Sequence, residues 1–471
     1  MTDTSLDAHD VQHDGSAQDS PQLEAPALER EGNSQNDVAA SPKPSASGNL
    51  YANVWRWHFY AGLLTAPILW IVTITGALYV FRTELTELRD HDLLRVTPAE
   101  RRMSYEELKQ VAVTAHGSSD LEALIVYPDS TRSIQFVGHH GEEGEHGPEE
   151  HKLIHIDPYS GTLLGTQIAE HDFFHIVLEL HRNLLLGTTG RFVTELTTCW
   201  GIILLATGVF LWWPRGKKNV GVWVPRVRGK LYAVLRDWHA VTGIYVVPLL
   251  LIVTATGLFF SPLMGNAFNT TAKKAGHWPI KEWFVPPQSK PVAEGTPVAT
   301  LDEIVPTFLA QSRPNDAVRI RFAESPEHAH RAFLIQDEDK NSYRSVDVDQ
   351  YTGELLNVVD GSDLKFLYRV RLWAVSIHMG QIFGTPTKIL ALVAAVVMLA
   401  LSITGLWMWW MRKPSGRTGF PRRPARSLPN WGWGIVVLCA LVLPVAGVSI
   451  ILVGIFDQLW GRFYNAPPPT T

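Results

Sequence analysis

The chain has 471 residues, 46% of them hydrophobic, with 17 tryptophans and a formal net charge of −5. That length has room for a membrane part and a soluble part, and the mild acidity leaves no footprint for a nucleic-acid partner. The two cysteines, Cys199 and Cys439, lie inside apolar runs, which excludes a disulfide framework, a thiolate zinc site and a thiolate-bound iron–sulfur cluster; with no C-x-x-C-H motif, covalent attachment of a c-type haem is excluded too.

Residues 1–50 carry nine acids against Arg30 and Lys43, among Ser, Pro, Ala and Gln, and read as a disordered acidic cytoplasmic tail. They lack the basic start and apolar core of a signal peptide. The segment 51–82 is apolar and long enough to cross a bilayer, which takes about 20 residues. Further spans are expected at 191–213, 239–260, 386–411 and 434–456. Between them lie two long polar segments, 83–190 and 261–385, and two short connections, 214–238 and 412–433, with a tail at 457–471. The first connection holds Arg215, Lys217, Lys218, Arg226, Arg228, Lys230 and Arg236 against Asp237 alone. The second holds Arg412, Lys413, Arg417, Arg422, Arg423 and Arg426 and no acid. Basic loops stay in the cytoplasm. The N-terminus is therefore expected inside, and both long segments and the final tail outside, in a multi-pass protein of a bacterial inner membrane.

The chain repeats itself. "WHFYAGLLTAPILWIVTITG" from Trp57 aligns with "WHAVTGIYVVPLLLIVTATG" from Trp238 at an offset of 181, matching His58 with His239 and Gly76 with Gly257. His181 aligns with His378 at an offset of 197, as do Thr207-Gly208 with Thr404-Gly405 and Arg215 with Arg412. "HIDPYSGTLLG" (155–165) resembles "DVDQYTGELLN" (347–357), each a strand, a turn on Gly161 or Gly353, and a second strand. Two tandem units of span, outer domain and span follow, in one orientation, with a pseudo-twofold axis along the membrane normal. The fold expected is an α-helical membrane bundle of four core spans as two parallel repeats, a fifth span, and two small α+β outer domains.

This symmetry gives the histidines a meaning. His58 and His239 stand at the inner ends of spans one and three, and His181 and His378 near the outer ends of spans two and four. In a sequentially connected bundle each pair faces across the centre. Two facing imidazoles are the axial ligands of a b-type haem, so two bis-histidine haems are expected, one at each face. Gly76 is 18 residues, or five turns, beyond His58 and shares its face, and Gly257 stands likewise to His239, leaving room for a flat macrocycle. Arg215, Arg412, Arg56 and Arg236 are candidates to meet propionates or to anchor the inner face. The competing proton-path reading finds few acids: Asp457 ends span five, and Glu195 lies near the start of span two.

These pieces resemble the PepSY-associated transmembrane family, whose members include iron-regulated membrane proteins and ferric-siderophore reductases. The resemblance rests on "WRWHFYAGL…TITGALY", "LHRNLLLGTTGR…TGVFLWWPR", "RDWHAVTGIYVVPLLLIVTATG", "IHMGQIFG…ITGLWMWW" and the two D-x-x-x-G turns, over most of 50–413. It implies PepSY-like outer domains, two haems held by the four histidines, and reduction of a ferric siderophore or other ferric chelate at the outer face. The acidic tail, a His-rich insertion and the fifth span fall outside the family pattern.

That insertion, "GHHGEEGEHGPEEH" (138–151), places His139, His140, His146 and His151 among glutamates, and reads either as metal capture or as a solvated hairpin loop. His328 and His330 pose the same choice in the second outer domain. His171 and His175 precede span two outside the repeat. Neither inner loop is long enough for a flavin or nicotinamide domain, so electrons would come from a separate cytoplasmic reductase or from membrane quinol. An iron or siderophore permease, and a non-enzymatic PepSY regulator, are the competing functions.

Overall fold

The computed structural model describes residues 46–140, 150–216, 219–278, 288–293, 295–313, 316–335, 344–416, 419–421 and 430–464. Residues 1–45 of the acidic tail, His146 and residues 465–471 lie outside these, as do the side chains of His140 and Asp457.

The first repeat runs α1 (Ala46–Val80), α2 (Arg82–Arg89), α3 (His91–Leu94), α4 (Tyr105–His116), β1 (Leu121–Val126), β2 (Ile134–His140), β3 (Glu150–Ile156), β4 (Leu163–Ile168), α5 (Phe173–Asn183) and α6 (Gly187–Trp212). The second runs α7 (Leu231–Gly257), α8 (Met264–Lys274), α9 (Leu301–Leu309), β5 (Ala317–Arg321), β6 (His330–Ile335), β7 (Arg344–Val348), β8 (Leu355–Asp360), α10 (Phe366–His378) and α11 (Thr385–Arg412). Two helices, α12 (Asn430–Val442) and α13 (Pro444–Tyr464), complete the described chain.

Among the described residues, four helices are long and apolar enough to cross a membrane: Leu50–Val80, Gly187–Trp212, Leu231–Phe260 and Thr385–Arg412. They carry exposed Leu64, Ile74, Tyr245, Leu390 and Val396, large side chains that suit lipid. Thr65, Thr75, Thr207, Thr254 and Thr404 return their hydroxyls to carbonyls four residues back, so these hydroxyls are paired within their own helices. The helices close a ring: α1 packs on α6 and α11, and α7 packs on the same two. Thus α1 lies diagonal to α7, and α6 to α11.

The fifth expected span is broken. Pro444 has no N–H to continue the helix, so α12 ends at Val442 and α13 starts afresh. The chain doubles back: a β-carbon on Gly447 would fall 2.7 Å from Ala440 Cβ, where seven helical residues would separate the two by about 10 Å. At about 1.5 Å per residue, 13-residue α12 reaches only some 20 Å. The hairpin tip, Leu443 and Ala446, is buried against Cys199 and Leu258, and Trp200 Nε1 donates to Ser449 Oγ at 3.0 Å.

The two expected outer domains are one. Their strands form a single eight-stranded antiparallel sheet in the order β4-β3-β2-β1-β5-β6-β7-β8. The seam is β1 on β5, with Leu124 opposite Ile320 and Val126 opposite Val318. Each repeat alone would leave an open edge strand, and pairing the two edges satisfies both. One face of the sheet carries α4 and α9. Leu108, Ala112, Ile304, Val305 and Phe308 bury themselves on Phe136, Ile154, Ile320 and Leu334, all from one continuous core. At about 1.5–3 kcal/mol per large apolar side chain, that core couples the repeats strongly. The helix starts cap each other across the pseudo-twofold: Asp302 accepts the N–H groups of Tyr105 and Glu106, and Glu106 accepts that of Leu301. The two D-x-x-x-G turns match as well. Gly161 (φ 67°) and Gly353 (φ 68°) sit in the left-handed region that glycine tolerates, and Asp157 and Asp349 accept the N–H groups of Tyr159 and Tyr351, both at 2.9 Å.

Candidate functional site

All four repeated histidines face one another in pairs. The rings of His58 on α1 and His239 on α7 lie 6.4 Å apart between centroids, nearly perpendicular at 87°. Those of His181 and His378 lie 6.1 Å apart at 47°. The second pair stands not on the spans themselves but on separate short helices: α5 against α1, and α10 against α7. Left-handed Leu184 and Leu185 end α5 and turn the chain into α6.

Hydrogen bonds fix the tautomers. His181 Nδ1 lies 2.8 Å from the Val72 carbonyl and His378 Nδ1 2.9 Å from that of Val253. A carbonyl only accepts, so both Nδ1 atoms donate. His58 Nδ1 lies 2.9 Å from Thr207 Oγ1 and His239 Nδ1 3.0 Å from Thr404 Oγ1. Each threonine hydroxyl already donates into its own helix, to Ile203 and Ala400, so it accepts from the imidazole. Every ring thereby carries a proton on Nδ1, and in its neutral form keeps the Nε2 lone pair for a ligand.

Glycines make the pockets, but not as their helical phase suggests. Gly76 and Gly257, read above as space beside His58 and His239, lie against the other pair. A β-carbon there would fall 2.9 Å from Cε1 of His181 or of His378. Gly208 and Gly405 take the place beside His58 and His239, at 3.5 and 3.6 Å. The two levels are 18 residues apart along α1, about 27 Å of helix rise, with one pair at the sheet end of the bundle and the other at its far end.

The arginines sit at that far end in duplicate. Arg215 caps the last carbonyls of α6 and stacks on Tyr51 at 4.6 Å. Arg412 reaches Tyr232, whose ring centre is 5.3 Å away. Both tyrosines precede their histidine by seven residues, on one helix face. Arg56 lies over Tyr60, and Arg236 pairs with Asp237, which is fully buried and also held by Arg226. Glu195 is no relay element either: it accepts the N–H groups of Leu263 and Met264 and caps α8.

The remaining histidines divide. His139 and His151 are directly opposed across β2 and β3, with ring centroids 5.8 Å apart. Glu122 joins them, which sequence reading missed. His171 is exposed beside Glu150 at 3.1 Å. His328 and His330 do not converge on a metal site among the described residues. His330 Nδ1 accepts the Ala323 N–H at 3.0 Å, and burial, then the nearby Lys109, pushes its pKa down to about 4. The folded chain keeps this ring neutral where the unfolded chain would protonate it. Stability is therefore expected to fall as pH drops from 6.5 toward 4, by up to about 1.4 kcal/mol per pH unit. Thermal midpoints of His330→Gln and the parent chain at both ends of that window check this; the variant should lose part of the acid sensitivity.

A two-repeat, four-helix membrane bundle capped by one shared sheet, with a histidine pair at each level, defines the class of protein. The PepSY-associated TM region family matches residues 55–412, and the chain belongs to that family. No curated protein matches it in sequence.

Proposed function

We propose that this membrane protein is a dihaem b-type electron-transfer protein. Its role in this reading is to carry electrons across the bilayer from a separate reductase or membrane quinol to a ferric siderophore or similar ferric chelate at the sheet end. Iron(II) binds oxygen chelators more weakly, so reduction would release the metal. The observation that carries the reading is the paired, Nδ1-anchored imidazoles at 6.4 and 6.1 Å. Two imidazoles sharing one metal at bond lengths of about 2.0 Å place their ring centres roughly 6 Å apart. Neither pair gathers a third His, Cys, Asp or Glu among the described residues. A lone metal ion would want such ligands, whereas a porphyrin brings four nitrogens of its own.

When bound, each haem would supply a one-electron iron couple. His58 with His239, and His181 with His378, would hold the two groups. Val72, Val253, Thr207 and Thr404 orient the rings and raise their basicity through the Nδ1 bonds. Arg215 and Arg412 stand at the end where His58 and His239 lie and offer cationic partners for propionates. In this reading that end faces the cytoplasm, which the basic connections support.

The visible spectrum of the purified protein, oxidised and dithionite-reduced, tests the reading. Low-spin b-type bands at two haems per chain are expected, with reoxidation on adding a ferric chelate. A colourless folded protein would overturn it and favour a permease or regulator.

A further inference from the structure

The geometry points to a second metal site, on the sheet, built from Glu122, His139 and His151 and suited to one divalent transition-metal ion of the zinc or iron(II) kind. It stands independently of the haem reading, since it uses none of the same residues or elements.

The three side chains come from neighbouring strands. His139 and His151 are a cross-strand pair on β2 and β3. Glu122 is the extra residue of a β-bulge in β1, between Leu121 opposite Gly138 and Ala123 opposite Val137. Bulges re-aim side chains, often beside functional sites. Here the bulge turns a carboxylate onto the two imidazoles. One ligand atom from each residue lies within 4.8 Å of the others.

The contacts suit a shared cation better than a hydrogen-bonded cluster. His151 donates its Nδ1 proton to Glu170 at 2.8 Å, and Glu170 also takes the His151 backbone N–H at 2.8 Å. This fixes the ring, so the Nε2 lone pair lies 3.6 Å from Glu122 Oε2. Two ligands on a tetrahedral ion at about 2.0 Å are roughly 3.3 Å apart. His139 Nδ1 lies 2.8 Å from Glu122 Oε1, yet that buried oxygen accepts no hydrogen bond among the described residues. A small opening of this contact would admit an ion between them. The carboxylate–histidine arrangement at Glu170 is the usual outer support of a metal-bound imidazole. Arg319 on β5 lies near enough to Glu122 to offset part of its charge.

Two imidazoles and one carboxylate are a ligand set used by catalytic zinc and by non-haem iron(II), both with open positions. The His139 side chain is half exposed, so the fourth position would face solvent.

Calorimetric titration of the chelator-treated full-length protein with zinc chloride, repeated anaerobically with iron(II), tests the site. One ion per chain is expected. His139→Ala, His151→Ala and Glu122→Gln should each weaken binding roughly tenfold or more, and Glu170→Gln should weaken it less. His171→Ala should leave it unchanged. Thermal midpoints of the metal-free variants identify any that fail to fold, and Glu122→Gln, close in shape, keeps the test intact. Absence of saturable binding by the parent chain would overturn the proposal. So would unchanged affinity in the three ligand variants, which would place the ion on the neighbouring His- and Glu-rich residues instead.

Discussion

Replacing His58 by alanine is expected to halve the haem content and leave the other haem in place. The two levels are about 27 Å apart along α1, and their histidines stand on different elements. His58 and His239 come from α1 and α7, whereas His181 and His378 come from α5 and α10. Loss of one imidazole should therefore act on one site alone. His239→Ala should give the same spectrum as His58→Ala, His181→Ala and His378→Ala the complementary one, and the double variant His58→Ala with His181→Ala none. Pyridine haemochrome content per chain, with helicity by circular dichroism as the control for folding, checks this. Two haems retained in His58→Ala would remove the far-end site from consideration.

A single methyl group at Gly76 should do comparable damage at the sheet end. The added carbon would fall 2.9 Å from His181 Cε1 and 3.2 Å from its Nδ1, too close for either to stay. The ring would have to move, and the 2.8 Å bond to the Val72 carbonyl that orients it would be lost. Overpacking of this kind typically costs about 1–3 kcal/mol, here concentrated on one ligand. Gly76→Ala is thus expected to lose the sheet-end haem preferentially, as Gly257→Ala should through His378. Gly62→Ala is the control: its methyl would meet Leu204 at 3.9 Å, ordinary contact, and should leave both haems bound. Equal loss from both levels in Gly76→Ala would mean a general defect of the bundle.

The repeat was legible in the sequence because its offsets are constant over long apolar stretches. With it came the diagonal arrangement of the spans and the pairing of His58 with His239 and of His181 with His378. What the glycines do was not legible. Helical phase places Gly76 on the same face as His58, but phase says nothing of what crosses that face 18 residues further on, and the neighbour there is the imidazole on α5. Thr207 and Thr404 were visible as repeated residues, yet their acceptor role depends on a partner on another helix. The fifth span misled because hydropathy sums over Pro444, while the backbone cannot. The fused sheet escaped because alternation marks strands and not the partner of an edge strand. Glu122 escaped for a related reason: its side chain joins the histidines only through a bulge that local sequence does not announce.

The β1–β5 seam also has a consequence for biogenesis. Strand β1 ends at Val126 and its partner begins at Ala317. At synthesis rates of about 5–20 residues per second, the second strand follows the first by roughly 10–40 s. Throughout that interval the first half presents an open edge to any passing extended peptide, while two further membrane crossings are still being threaded. A nascent chain stalled before Ala317 should therefore be sticky in a way the finished protein is not, and a chaperone that shields strand edges has a defined window in which to act.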